Sequence, residues 1–118
     1  MPQITVDYSQ SLADGFDRPG FAQALHAAAV EIVAAKPEAC KTQFRPAGDT
    51  TVGPDTGGHA VVHVTVGLLA GRTDEAKARL TEETLELLRR FVKPAGGLAL
   101  HASAEVRDLD ASYRKFDA

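Results

Sequence analysis

A chain of 118 residues, 44% hydrophobic and 25% charged, has the length of one domain (residues 1–118) and ordinary globular composition, which argues against a disordered or low-complexity polypeptide. Its 13 Lys and Arg against 16 Asp and Glu leave a net charge of −3, which argues against a nucleic-acid surface and obliges any anion handler to gather a few cations locally. Cys40 is the single cysteine, so there is no intrachain disulfide and no Cys-based zinc cluster, and no segment has the apolar length of a membrane span or the pattern of a secretory leader; the expectation is a soluble cytoplasmic protein without nucleic-acid or membrane partners.

The chain opens on Met1-Pro2, followed by Gln3-Ile4-Thr5-Val6-Asp7-Tyr8. Ile4, Val6 and Tyr8 alternate with polar residues, so residues 2–8 are predicted to form a strand with one buried face. Removal of Met1 would make the proline nitrogen a free secondary amine. An α-amino group titrates near 7.7–8.0, close enough to neutrality to serve as a general base. The plain alternative is that proline at position 2 marks only an efficiently trimmed start.

Ser9 to Asp17 is polar and reads as a loop. Pro19 suits a first helical turn, and Phe21, Leu25, Ala28 and Ile32, with Ala24, Ala29 and Ala35, keep a helical period until Pro37, which predicts a helix over 18–36. Residues 40–52 carry β-formers around a Pro46-Ala47-Gly48-Asp49 interruption, read as a strand with a bend or bulge. Residues 53–58 are a turn by composition, and residues 59–69 are a strand apolar on both faces, which places it centrally in a sheet.

The second half repeats this order. Thr73 is an N-cap, Asp74 and Glu75 occupy a first turn, and Ala76, Leu80, Leu87, Leu88 and Phe91 mark the apolar face of a second helix. Lys93 to Gly97 end it, residues 98–109 form the last strand, and 111–116 a short helical turn or tail. Helices joining strands favour parallel pairs, and the short central turn favours an antiparallel hairpin between the second and third strands. The expected class is α+β: two β-α-β units forming a four-stranded mixed sheet with two helices on one face. The other face would stay open unless subunits stack on it.

The Met1-Pro2 start, the His-Ala-Val-Val-His-Val-Thr-Val run at 59–66, Leu-Leu-Ala-Gly-Arg-Thr at 68–73, and Ala-Glu-Val-Arg-Asp-Leu-Asp with Tyr-Arg-Lys at 104–115 together resemble the 5-carboxymethyl-2-hydroxymuconate isomerase family of the tautomerase superfamily. The resemblance spans nearly the whole chain and is most specific from His59 to Thr73. It implies a tautomerase fold and a homotrimer. It also implies a cofactor-free isomerase whose N-terminal proline moves a proton during ketonisation of a 2-hydroxymuconate-like dienol carboxylate, as in aromatic catabolism. The family carries a substrate-binding arginine near the position of Lys41, where this chain has Lys41-Thr42-Gln43-Phe44-Arg45.

These residues admit a chemical reading of their own. Pro2 is the candidate proton acceptor and donor. Arg72, at a strand-to-helix junction, is the candidate carboxylate clamp, because a guanidinium fork binds a carboxylate through two parallel hydrogen bonds and helix N-terminal amides add positive potential. For a second carboxylate, Lys41 serves with a point charge, or Arg45 replaces it from the same strand face, or the second site is lost. A proline-based hydratase or dehalogenase relative would need a further carboxylate, for which Asp7 is of suitable type, and a non-catalytic binding or assembly module would keep the fold alone. His59 and His63 share a strand face but lack a third ligand, so no metal is expected. Arg107, Tyr113 and Arg114 are candidates for a neighbouring subunit's pocket or for salt bridges at a subunit contact. Cys40 has no general base beside it and reads as core.

Overall fold

The structure, a computed structural model, describes residues 2–118. Alternation of small polar and branched apolar residues makes two strands the centre of one sheet: β1 (Gln3–Ser9) and β3 (His59–Leu68), which pair antiparallel with Val6 opposite Val64. Their inward residues, Ile4, Val6 and Tyr8 from β1 and Ala60, Val62, Val64, Val66 and Leu68 from β3, are all buried. On the outer flanks lie β2 (Lys41–Ala47), parallel to β1, and β4 (Ala99–Asp108), parallel to β3, so the strand order is β2-β1-β3-β4.

The mixed four-stranded sheet is as expected, but the predicted hairpin is not. The antiparallel partner of β3 is β1, and β2 runs along an edge. β2 carries Pro46, which has no N–H to give a ladder and is tolerated where one side of the strand is unpaired. β2 also stops at Ala47, because residues 48–52 leave the sheet; Ser9 Oγ and Thr50 Oγ1, 2.6 Å apart, hold that segment to the end of β1.

Two helices cover the inward face. α1 (Arg18–Val33) starts where Asp17 Oδ1 accepts from the Gly20 N–H, with Pro19 in its first turn, and it buries Phe21, Leu25, Ala29 and Val33 along one i,i+4 row. It ends at Val33 rather than at residue 36, because Ala34 turns left-handed (φ 55°) and the Ala35 N–H closes back onto the Ala29 carbonyl. α2 (Asp74–Phe91) begins as predicted, with Thr73 Oγ1 accepting from the Ala76 N–H, and buries Leu80, Leu87 and Leu88.

The largest departure is at Ser9 to Asp17. This stretch contains a 3₁₀ helix over Gln10–Gly15, and it sends Leu12 and Phe16 into the core at 1% and 4% exposure. The Phe16 ring meets Tyr8, Phe21 and Phe44 edge-on at 5.6–5.7 Å between centroids, geometry that adds to area burial. At the other end of the chain residues 111–116 are not helical; they form a turn and an extended tail after β4. Among the described residues no helix is long and apolar enough to cross a membrane.

His26 on α1 and Thr42 on β2 are joined at 2.8 Å between Nε2 and Oγ1, and burial pushes the imidazole below its ordinary pKa. The folded chain therefore holds the neutral ring, the unfolded chain binds the proton more readily, and stability falls as pH drops through the unfolded value near 6.5. Thermal midpoints are expected to decline between pH 7.5 and 5.5, and His26→Gln should flatten that decline.

Candidate active site

The register brings one end of the sheet together from three directions. Gln3, at the start of β1, lies opposite Lys41 on one side and Gly67 on the other. Beyond this end the chain also passes the C-terminus of α1, the N-terminus of α2 and the tail that follows β4. Between them is a cavity of about 420 Å³ whose walls include Ala34, Ala35, Ala39 and Leu69, the cations Lys36, Lys41, Arg72 and Lys115, and the acids Glu38 and Asp117. Its volume suits a small ligand, and the lining carries more positive than negative groups in a chain that is acidic overall. A hollow of about 490 Å³ over the outer surface of α2 is lined mainly by Arg79, Glu82, Glu83, Glu86 and Arg89. Its charges balance more closely, with Arg89 and Glu86 paired, and it reads as a solvated helix face.

Arg72 is held in place before any ligand arrives. Its Nε donates to the Val33 carbonyl at 3.2 Å and its Nη1 to the Leu69 carbonyl at 3.1 Å. Val33 ends α1, where the orphan carbonyls and the negative end of the helix dipole favour a cation. A guanidinium has five N–H donors, so two such bonds fix its plane and leave the rest of the fork free to meet a carboxylate. The cavity reaches the start of α2 at Arg72, just before the Thr73 cap, and no residue of the first turn of α2 lines it.

Lys41 and Arg72 are brought together, and Arg45 is not. Lys41 lines the cavity. Arg45 lies on the same strand face four residues on, about 13 Å along the strand, and it forks onto Asp7 at 2.8 and 3.1 Å across the β1–β2 pair. That hydrogen bond from Arg45 holds the Asp7 carboxyl below its ordinary range. Asp7 is thus committed to Arg45 and stands five residues along β1 from Pro2.

Pro2 precedes β1 at the cavity's end of the sheet, is fully buried, and accepts a hydrogen bond from the Lys41 N–H at 3.2 Å. It is a neighbour of the cation-lined end but is not itself part of the cavity wall. Whether Met1 is removed concerns a residue outside those described. Cys40 is buried, its Sγ 3.5 Å from the Lys36 carbonyl oxygen, and burial raises its thiol pKa, as fits a packing role.

The remaining candidates lie elsewhere. His59 Nε2 is 3.0 Å from Asp55 Oδ2 and its Nδ1 is 2.9 Å from His101 Nε2, while His63 Nδ1 is 2.7 Å from Ser103 Oγ, all on the outward face of the sheet. Among the described residues no group of three or more His, Cys, Asp or Glu is arranged to hold a metal ion. Arg107 pairs with Glu105, and Arg114 donates to the Ala111 and Tyr113 carbonyls. Lys36, Lys115 and Asp117 escaped the reading of the sequence. Lys115 and Asp117 reach the cavity only because the tail folds back, and no local pattern announces that.

A family model described as 5-carboxymethyl-2-hydroxymuconate isomerase matches residues 2–116. The chain belongs to the 5-carboxymethyl-2-hydroxymuconate isomerase family. It is accordingly an isomerase. Among solved structures, the 5-carboxymethyl-2-hydroxymuconate isomerase of Deinococcus radiodurans R1 is similar over 98% of this chain and 90% of its own, at 19% identity and a TM-score of 0.75. A 5-carboxymethyl-2-hydroxymuconate delta-isomerase aligns with all of this chain (100%) and 89% of its own at 13% identity and a TM-score of 0.83. A fused 4-OT wild-type symmetric trimer covers 90% of this chain and 84% of its own at 24% identity and a TM-score of 0.67. No curated protein sequence matches the chain. At these identities the structural likeness speaks for the fold alone.

Proposed function

We propose that this isomerase ketonises a 2-hydroxymuconate-like dienol carboxylate with Pro2, freed of Met1, as the proton carrier. The neutral secondary amine takes the hydroxyl proton of the dienol, electron density shifts along the conjugated chain, and the same proton returns to a distal carbon as the hydroxyl carbon becomes a carbonyl. One O–H bond is exchanged for one C–H bond with no change in oxidation state, so the step calls for neither cofactor nor metal. Arg72 binds one carboxylate through its free fork and Lys41 a second as a point charge. Nearby cations favour the unprotonated amine, the state a base must have. Because Arg45 is engaged by Asp7, the second carboxylate is assigned to Lys41, and Asp7, the acid a hydratase reading would call on, is committed to Arg45.

The observation that carries this reading is the placing of Arg72, fixed by two carbonyls, in one cavity with Lys41 at the end of the sheet where Pro2 begins the chain's fold. A cytoplasmic, one-domain protomer assembling as a homotrimer belongs to the same proposal. The homotrimer is supported by the likeness to a symmetric trimer.

Arg72→Ala is expected to lower kcat/KM for a dienol dicarboxylate about 10- to 100-fold, the worth of a charged hydrogen-bonded contact. Arg72→Lys should recover little, since an ammonium cannot reproduce the fork. Steady-state ketonisation assays with mono-, di- and tricarboxylate dienols check this. Equal kcat/KM for wild type and Arg72→Ala across that panel would refute the clamp.

A further inference from the structure

The tail beyond β4 is pinned to the sheet at two points. The Leu109 N–H donates to the Leu68 carbonyl at 2.6 Å, and the Leu109 side chain lies so close over Gly67 that a Cβ there would sit 2.8 Å from Leu109 Cδ2. After a turn in which Asp110 accepts from the Ser112 and Tyr113 N–H groups, Gln3 Nε2 donates to the Tyr113 hydroxyl at 3.4 Å. Both anchors are at the cavity's end of the sheet. The next residues alternate: Lys115 and Asp117 line the cavity, and Phe116 between them is 88% exposed.

Lys115 Nζ and the Asp117 carboxylate form an ion pair at the cavity wall. The Asp117 carboxyl is held below its ordinary range, chiefly by its hydrogen bond with Lys115 and also by the Lys41 ammonium. A carboxylate of the chain itself is therefore paired with one of the cations that face the cavity. We propose that Lys115 is a third carboxylate-binding cation of this site, and that Asp117 occupies its place until an incoming carboxylate displaces it. The inference rests on the anion-binding reading above but not on the proton transfer. Displacement is easy because an exposed ion pair is weak, and a ligand with two carboxylates meets Arg72, Lys41 and Lys115 together.

Calorimetric titration of the full chain with adipate, an unreactive six-carbon dicarboxylate, at low ionic strength tests this whether or not the protein turns over any dienol. Asp117→Asn should tighten the Kd about two- to fivefold and Lys115→Met should weaken it by a similar factor, the span expected from gaining or losing an exposed ion pair. The double variant should follow Lys115→Met, because Asp117 acts by occupying Lys115. Equal affinities for wild type and both single variants, or no adipate binding by the wild type, overturn the proposal. Loss of dienol turnover with the predicted order of affinities intact would refute the catalytic reading and leave this one standing.

Discussion

Pro2→Ala, with Met1 removed and with an unchanged thermal midpoint, is expected to lower kcat on a 2-hydroxymuconate-like dienol by about 10²–10⁴-fold, the usual contribution of a positioned proton-transfer group. Alanine keeps an α-amine but loses the ring that fixes the direction of the lone pair, so the loss reports orientation as much as basicity. The complementary chain, in which Met1 is retained, carries the Pro2 nitrogen in an amide with no basic lone pair and should be silent on the same substrate. Activity of the processed wild type should fall on acidification as the amine takes up a proton, and intact mass must be recorded beside each rate. A folded, Met-free Pro2→Ala chain with wild-type kcat removes proline from the mechanism.

The second large effect concerns stability. Phe16→Ala is expected to cost about 3–5 kcal/mol, the range for emptying a buried aromatic site, because the ring is 4% exposed and contacts three other aromatic rings. A small domain has about 5–15 kcal/mol in all, so urea midpoints should drop sharply. Phe116→Ala serves as the control: its ring is 88% exposed, and a change at such a surface position should stay within about 0.5 kcal/mol. A Phe16→Ala midpoint near that of the control would show that the cluster carries little of the core.

Phe16 also shows where a sequence reading runs out. The alternation of Ile4, Val6 and Tyr8, the Thr73 cap and the apolar row of α2 are local patterns, written within one element, and all are legible before any coordinates. Leu12 and Phe16 sit in a run dominated by Ser, Gln, Asp and Gly, where composition says loop; their spacing of four was the only sign that this loop turns helically and packs. Strand order was legible only in part. The apolar character of both faces of β3 placed it centrally, but its partnership with β1 depends on contacts between residues as far apart as Gln3 and Gly67, which no neighbouring pattern encodes. The same is true of the site. Arg72 was visible at its junction, but the register that locks Arg45 onto Asp7, and the fold-back that delivers Lys115, are properties of the assembled sheet.

Arg72 lines the cavity and also ties the end of α1 to the end of β3. Changing it releases the Val33 and Leu69 carbonyls, so if it also clamps a carboxylate as proposed, a change at that position is penalised twice. Lys41 has no comparable duty, since among the described residues its ammonium donates only to the Ala39 carbonyl, at 3.5 Å. The pocket therefore has a conservative pole and a liberal one. New substrates would be acquired at the start of the edge strand, while the anchoring end keeps the chemistry aligned.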